Sequence, residues 1–178
     1  MARRRMWAAA ACAGLLLVAD PALARREWRL AVGTDPKAGA GSVELELQVP
    51  LRNEERLHGW RLLWATGAGV FTGGDDGRAA AAVADGHAGL GATRPAPWLD
   101  LGGARARLEA GMAIHLLSSD RVGSKEVSTH FQFCESLGLS WPVGTGRVAV
   151  GYEHISNGGV REPNPGLDLV RVGWVGSW

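Results

Sequence analysis

The chain is poor in cysteine, tyrosine and phenylalanine, and neither sign of charge dominates. Its 178 residues include 2 Cys, 1 Tyr and 3 Phe, and the 19 Lys and Arg against 18 Asp and Glu give a formal net charge of +1. Two cysteines, Cys12 and Cys134, exclude a disulfide-rich scaffold and any zinc site built from several cysteines. The balanced charge indicates no basic surface for nucleic acid, so we expect no nucleic-acid partner.

The first 24 residues have the pattern of a secretory signal peptide. Arg3–Arg5 precede an apolar run over 6–19, and Ala22-Leu23-Ala24 is a small-x-small cleavage site. The run is shorter than the roughly 20 residues of a membrane-spanning helix. Cys12 lies inside it and does not close it, so a lipoprotein is a minor alternative. Cleavage after Ala24 predicts a single domain over 25–178 with a net charge of about −1 and without a disulfide or a cysteine-based metal site.

The remaining chain shows strand patterns and no long amphipathic helix. In 43–49, Val43, Leu45, Leu47 and Val49 alternate with polar residues, the period of two that is typical of a strand with two unlike faces. Prolines within 95–97 predict a bulge or kink, and the Ala/Gly-rich stretch 78–92 could hold a loop. The pattern predicts eight strands, at about 28–33, 42–50, 57–69, 86–102, 106–118, 127–141, 145–156 and 167–178.

The carboxyl terminus favours a membrane barrel over a soluble one. Apolar residues of one parity run from Val170 to Trp178, and the chain ends on an aromatic residue, whereas the last residues of a soluble domain usually fray into water. The many Trp residues can serve in interfacial girdles. We predict an all-β fold, an eight-stranded antiparallel transmembrane β-barrel of the bacterial outer membrane; a soluble sandwich or lipocalin-like barrel is the alternative. The even strand number predicts periplasmic termini and an extracellular loop at 157–166.

A histidine, a serine and an acid flank that loop. Residues two apart on a strand point to one face about 7 Å apart, so His154 and Ser156 can share a hydrogen bond, and histidine is the usual base for a serine nucleophile. Asp168 begins the next strand and is expected at cross-strand distance from His154, where a carboxylate fixes the imidazole. Asn157 and the nearby glycine amides, Gly158 and Gly159, are candidate oxyanion donors.

Parity predicts which way these groups point. His154 and Ser156 continue the row of Val148, Val150 and Tyr152, which is the apolar face of the strand. In a small membrane barrel the apolar face meets lipid, and polar groups there are costly unless they pair or act chemically. We therefore expect the triad on the lipid-facing wall. The alternative is that these are ordinary strand-end and turn residues, since a His-x-Ser pair is common by accident.

The segment His154-Ile155-Ser156-Asn157-Gly158-Gly159, followed by Pro163-Asn164-Pro165-Gly166-Leu167-Asp168, resembles the signature of the lipid A 3-O-deacylase (PagL) family. Two further stretches, 108–112 and 130–139, resemble strands of that family, so the likeness covers most of 105–178. The family pattern has Glu where this chain has Asp168. Asp is shorter by one methylene, so we expect the contact of its carboxylate with the imidazole to need a slight shift of the hairpin.

The resemblance implies an outer-membrane serine esterase that removes the 3-O-linked acyl chain of lipid A. It implies His154 as base, Ser156 as nucleophile, Asp168 as the acid, and Asn157 and Gly159 as oxyanion donors. It implies lipid A as the partner, no cofactor and no metal; a homodimer is left open. An outer-membrane phospholipase and a non-enzymatic structural or adhesion barrel are the alternatives. Cys134 and four further histidines are expected to be structural or loop residues, at positions 58, 87, 115 and 130.

Overall fold

The computed structural model describes residues 26–51, 56–74, 81–101 and 103–178; the expected signal peptide lies outside these ranges. Eight long strands account for most of the described chain: β1 (Glu27–Asp35), β2 (Ala40–Pro50), β3 (Trp60–Gly73), β4 (Ala81–Leu101), β5 (Ala104–Leu117), β6 (Phe131–Val143), β7 (Gly146–Ser156) and β8 (Leu167–Ser177). Three two-residue strands lie in loops, at Arg56–Leu57, Arg121–Val122 and Lys125–Glu126. No helix in the described ranges is long and apolar enough to cross a bilayer.

The eight strands close into an antiparallel barrel in which each strand pairs with its neighbours in the chain. The ring is closed by β1 and β8, with Glu27 opposite Ser177 and Thr34 opposite Val170. Both ends of the described chain therefore lie at one end of the barrel, and loop 157–166 lies at the other. The predicted eight-stranded antiparallel barrel is confirmed.

The wall of the barrel is apolar outside and polar inside. Large apolar side chains alternate along the strands with buried polar ones, and many are about half exposed, including Val32, Val43, Leu45, Leu137, Val150 and Val172. The buried polar side chains point into the lumen, and several of them are acidic, including Glu27, Glu44, Asp85, Glu109 and Glu153. A soluble barrel would bury the apolar row, whereas this arrangement is the one that a bilayer stabilises.

Tryptophans collect at the end of the barrel that holds the termini. Trp28 is the second residue of β1 and lies opposite Gly176, and Trp141 lies opposite Val148 near the first residues of β7. The other described tryptophans also lie in that half, at 60, 64, 98, 174 and 178. Amphipathic rings in such a belt mark the boundary between hydrocarbon and headgroups.

Several predicted strand limits differ from those observed, among them those of the third strand, expected at 57–69 and observed at Trp60–Gly73. The stretch 78–92, considered as a loop, enters β4 at Ala81, and the prolines produce the expected irregularity, a register shift between Ala96 and Asp100. β6 begins at Phe131, not at 127. Val127 instead folds into the mouth of the barrel, where it is 0% exposed.

The mouth opposite the termini is filled by an apolar cluster. Val122 and Val127 from the loop between β5 and β6 pack with buried residues of the wall, among them Phe71, Val83, Leu117, Ile155, Leu167 and Leu169. These contacts pack against the inner faces of β7 and β8, so the backbone that carries the outward side chains of these two strands is held in place.

Candidate active site

The β7–β8 hairpin brings two of the predicted site residues face to face. His154 and Asp168 are direct cross-strand partners, and Ile155 lies opposite Leu167. Ile155, Leu167 and Leu169 are fully buried inside the mouth. Because successive strand residues point to opposite faces, this inward anchoring turns His154 and Asp168 to the outer surface.

His154 and Asp168 are hydrogen-bonded. His154 Nδ1 lies 2.9 Å from Asp168 Oδ1, and the two side chains are 33% and 30% exposed. A carboxylate can only accept, so Nδ1 carries the proton and Nε2 is left as a proton acceptor. The shorter Asp thus reaches the imidazole because the two residues are directly paired.

Tyr152 is a third member of this contact that the sequence analysis missed. Its hydroxyl donates to the same oxygen, Asp168 Oδ1, at 2.6 Å. Tyr152 lies two residues before His154 on the same outward row. Its parity could have indicated the contact, since an outward Tyr beside an outward acid has a partner within reach.

Asp35 ties the start of β8 to the neighbouring loops. Its carboxylate is 0% exposed, and Oδ2 accepts from the backbone N–H of Asp168 at 2.9 Å and from Lys125 Nζ at 2.9 Å. Lys125 Nζ also donates to the carbonyl of Gly166 at 2.8 Å. These bonds fix the backbone on which Asp168 is carried.

Ser156 is the last residue of β7 and lies on the outward row with His154, two residues away. The last pair of the β7–β8 register is Ile155 with Leu167, so Gly166 lies across from Ser156. A Cβ on Gly166 would lie 2.7 Å from His154 Cε1 and 3.3 Å from His154 Nε2. The Cε1 and Nε2 atoms of His154 therefore lie on the side of the imidazole that faces Gly166 and Ser156. Within the described residues no hydrogen bond joins the Ser156 hydroxyl to His154.

Asn157 organises the loop that follows Ser156. It is 1% exposed; its amide donates to the carbonyls of Val127 at 3.1 Å and Arg161 at 2.7 Å, and its Oδ1 accepts from Gly159 N–H at 2.9 Å. The two predicted oxyanion donors are thus bonded to each other and to the loop. Gly158 has φ of 66°, and among the described residues its N–H donates no hydrogen bond.

Aromatic side chains border the serine on the β6 side. Phe133 lies opposite Ser156. Phe131 packs edge-on against the ring of Phe133, with the two ring centroids 5.0 Å apart. Both are about half exposed on the outer wall. Ser156 therefore stands between a polar pair and an apolar outer surface.

Three residues that the sequence predicts to be structural or loop residues, His87, His115 and Cys134, lie in the lumen of the barrel. His87 and His115 stack at 4.7 Å, and their Nδ1 atoms lie 2.8 and 3.0 Å from the two oxygens of Asp85. One ligand atom each of His115, Cys134 and Glu153 also lie within 4.8 Å of one another. Asp85 and His87 lie two residues apart on β4, whereas His115, Cys134 and Glu153 come from three other strands, so spacing along the chain does not reveal that these residues meet.

The fold and this outward site define a small outer-membrane β-barrel with a candidate Ser–His–Asp hydrolase site on the wall. The model of the lipid A 3-O-deacylase (PagL) family matches residues 38–175. The chain belongs to that family.

Individual relatives agree with this assignment. The lipid A deacylase PagL of Bordetella bronchiseptica is 38% identical over 71 residues, which are 39% of this chain and 40% of that protein. The crystal structure of the outer membrane enzyme PagL superposes with a TM-score of 0.68 at 20% identity, over 84% of this chain and 98% of the other. The Yersinia pestis outer membrane protein Ail superposes with a TM-score of 0.52 at 10% identity, over 86% and 99%. These two structural likenesses concern the fold alone.

Proposed function

We propose that this protein is an outer-membrane esterase that hydrolyses the 3-O-linked acyl chain of lipid A, with Ser156, His154 and Asp168 as its triad. The observation that carries the proposal is the outward His154–Asp168 hydrogen bond of 2.9 Å, with Ser156 two residues beyond His154 on the same strand, in a chain of the lipid A 3-O-deacylase family. The acyl-ester substrate is drawn from the description of that family and from its Bordetella relative.

In the proposed reaction, Ser156 Oγ attacks the acyl carbonyl and passes its proton to His154 Nε2. Asp168 keeps the proton of Nδ1 in place and stabilises the imidazolium that forms. The tetrahedral intermediate collapses, His154 returns the proton to the departing sugar oxygen, and the acyl group stays on Ser156. Water, deprotonated by His154, then releases the fatty acid and restores the serine.

The oxyanion needs donors aimed at the place where charge develops. Among the residues that the structure describes, the Gly158 N–H donates no hydrogen bond and is available for this role, and its positive φ turns the backbone two residues after Ser156. Gly159 N–H contributes directly only if its bond to Asn157 Oδ1 opens, and the Asn157 side-chain amide only if it leaves the carbonyls of Val127 and Arg161; otherwise both residues hold Gly158 in place. We infer the second arrangement, because Asn157 is buried and donates to two carbonyls.

The substrate reaches the site from the side, out of the bilayer. Phe131 and Phe133 offer an apolar surface for acyl chains beside Ser156, and Tyr152, His154 and Asp168 lie above the apolar rows of β7 and β8. With the termini in the periplasm, as is usual for such barrels, this end faces the outer leaflet, where lipid A resides. Export by a signal peptide cleaved after Ala24 belongs to the same proposal.

The test is mass spectrometry of lipid A incubated with the folded protein in detergent micelles. The parent chain should remove the 3-linked acyl chain, and Ser156→Ala should remove none while keeping the heat-resistant folded barrel. Ser177→Ala, at the opposite end of the barrel, is the matched control and should act like the parent. Deacylation by folded Ser156→Ala would overturn the serine mechanism.

The same samples separate the alternative functions. Lysophospholipid from added glycerophospholipid, with lipid A left intact, would identify a phospholipase. Intact lipid of both kinds after incubation with the folded parent would identify a non-enzymatic barrel. Either result would overturn the proposal.

A further inference from the structure

Inside the barrel, at the apolar cluster of the mouth to which Cys134 belongs, three metal-ligating side chains converge from three strands. His115 on β5, Cys134 on β6 and Glu153 on β7 are 2%, 7% and 2% exposed. One nitrogen, one sulfur and one oxygen of these groups lie within 4.8 Å of one another. They line a lumen cavity of about 80 Å³, whereas roughly 10–15 Å³ holds one water molecule.

Glu153 carries an oxygen that the protein does not satisfy. Its Oε2 pairs with Arg171, but Oε1 is buried and has no hydrogen-bond partner in the described chain. A buried acceptor without a partner costs about 1–3 kcal/mol, and more when it is charged. Such an atom beside a thiol and an imidazole is suited to a cation.

His115 is oriented for ligation. Its Nδ1 lies 3.0 Å from Asp85 Oδ1, so the proton sits on Nδ1 and the Nε2 lone pair remains available. This carboxylate–histidine contact is the arrangement that usually supports a metal-bound histidine. Asp85 also bonds His87, which keeps the carboxylate from turning away.

We propose that His115, Cys134 and Glu153 bind one divalent transition-metal ion of the zinc class in the barrel lumen, with water as a fourth ligand. Metal–ligand distances of about 2.0–2.3 Å place tetrahedral ligand atoms about 3.3–3.8 Å apart, so the three groups, which lie within 4.8 Å of one another, need only a small approach to reach an ion. The Cys134 thiolate and the Glu153 carboxylate together neutralise the two positive charges of the ion. Arg171, which also pairs with Glu153, remains paired with Glu44, whose Oε2 lies 3.0 Å from Arg171 Nη2. The site lies apart from Ser156, on the opposite side of the wall.

The sequence predicts no cysteine-based metal site, because one cysteine cannot form a multi-cysteine set. A mixed set needs only one thiol, and its members lie 19 residues apart along the chain, at 115, 134 and 153. The expectation of no cysteine-based metal site considered only sets of several cysteines, and metal binding to this mixed set would overturn it.

Cobalt binding to the folded protein tests the site. In this experiment the parent is the chain with Cys12→Ser, so that Cys134 is its one thiol. The readout is the near-ultraviolet absorption band of thiolate-to-cobalt charge transfer, together with the number of ions bound per chain. We expect about one ion per chain, displaced by zinc. Cys134→Ser should abolish the band. Asp85→Asn removes the partner of a ligand and should weaken binding about 10- to 100-fold, and Glu153→Gln removes a ligand and should weaken it more. Ser136→Ala, two residues along β6, should bind like the parent.

Three results would overturn the proposal. The first is a folded parent that shows no thiolate–cobalt band at several equivalents of ion. The second is zinc binding, measured by calorimetry, that survives Cys134→Ser but is lost in His87→Gln, which would place the ion among Asp85, His87 and His115. The third is loss of the absorption band in His130→Ala, a substitution in an exposed loop, to the same extent as in His115→Ala.

If a lumen variant does not fold, the labelling of Cys134 by maleimide in the parent, measured with and without zinc, decides the matter. An equal rate of labelling with and without zinc contradicts ligation.

Discussion

His154 and Asp168 face each other across the β7–β8 pair, and their 2.9 Å hydrogen bond lies on the outside of the barrel. Tyr152 donates to the same carboxylate oxygen. The acid is therefore held from two sides by residues of one neighbouring strand, and its own backbone N–H is held by Asp35. This geometry makes the role of each group testable by single substitutions.

Asp168→Asn should slow deacylation by about 10²- to 10⁴-fold, because an amide does not fix the Nδ1 tautomer or stabilise imidazolium. The shape of the side chain is kept, so folding should be unchanged. Initial rates of acyl release, compared at saturating substrate, check this. Asp168→Glu should keep most of the activity, since Glu occupies this position in the family pattern. Equal rates for parent and Asp168→Asn would show that the acid has no part in the reaction.

Tyr152→Phe should lower the rate about 3- to 10-fold, a loss of roughly 1 kcal/mol that is typical of one hydrogen bond. The loss should fall on kcat, because the hydroxyl acts on Asp168 and not on the acyl chain. Steady-state kinetics separate kcat from KM. In the double variant with Asp168→Asn, the Tyr152→Phe effect should shrink, since the two substitutions share one contact. Full additivity would argue against the contact.

Much of this arrangement follows from sequence pattern, because strand periodicity has a clear physical cause. The alternation in 148–156 and 168–174 predicts both the pairing of His154 with Asp168 and the outward direction of the row, and the register agrees with the pairing. The roles of these residues in catalysis stay predictions. The terminal aromatic row likewise predicts a membrane barrel, since only lipid makes an apolar outer wall stable.

Other features have no local signal. Asp35 reaches Asp168 across 133 residues, and Asn157 takes its partners from two loops. Irregular segments have no periodicity from which such contacts could be predicted. For the same reason the sequence pattern predicts a start of β6 at 127, whereas Val127 is an inward loop residue that packs in the closed mouth.

Asp35→Ala should destabilise the folded barrel by roughly 3–5 kcal/mol, because it leaves the half-buried Lys125 ammonium without its counter-charge. Their contact is 2.9 Å, and Asp35 is fully buried. Urea unfolding in lipid vesicles, followed by tryptophan emission, measures the change. The neighbouring Lys37→Ala removes an exposed charge and should shift the midpoint little. Since Asp35 also holds the Asp168 amide, deacylation should fall even where the variant is folded; a stable variant with normal activity would contradict both roles.

Gly166→Ala tests whether the space beside the imidazole matters for catalysis. A Cβ at this position would lie 2.7 Å from His154 Cε1, and the backbone φ of +60° is itself unfavourable for alanine. The ring must therefore turn away from the level of Ser156, and we expect deacylation to fall at least 10-fold, measured by acyl release from lipid A.

Gly144→Ala separates this collision from backbone strain. Gly144 has φ of +54° in the turn between β6 and β7, and a Cβ there meets nothing within 4 Å. Both variants should lose about 1 kcal/mol of stability from the left-handed backbone, but Gly144→Ala should keep its activity. Equal activity of the two variants would mean that the imidazole does not need its present position, and the proton transfer from Ser156 to His154 would lose its structural basis.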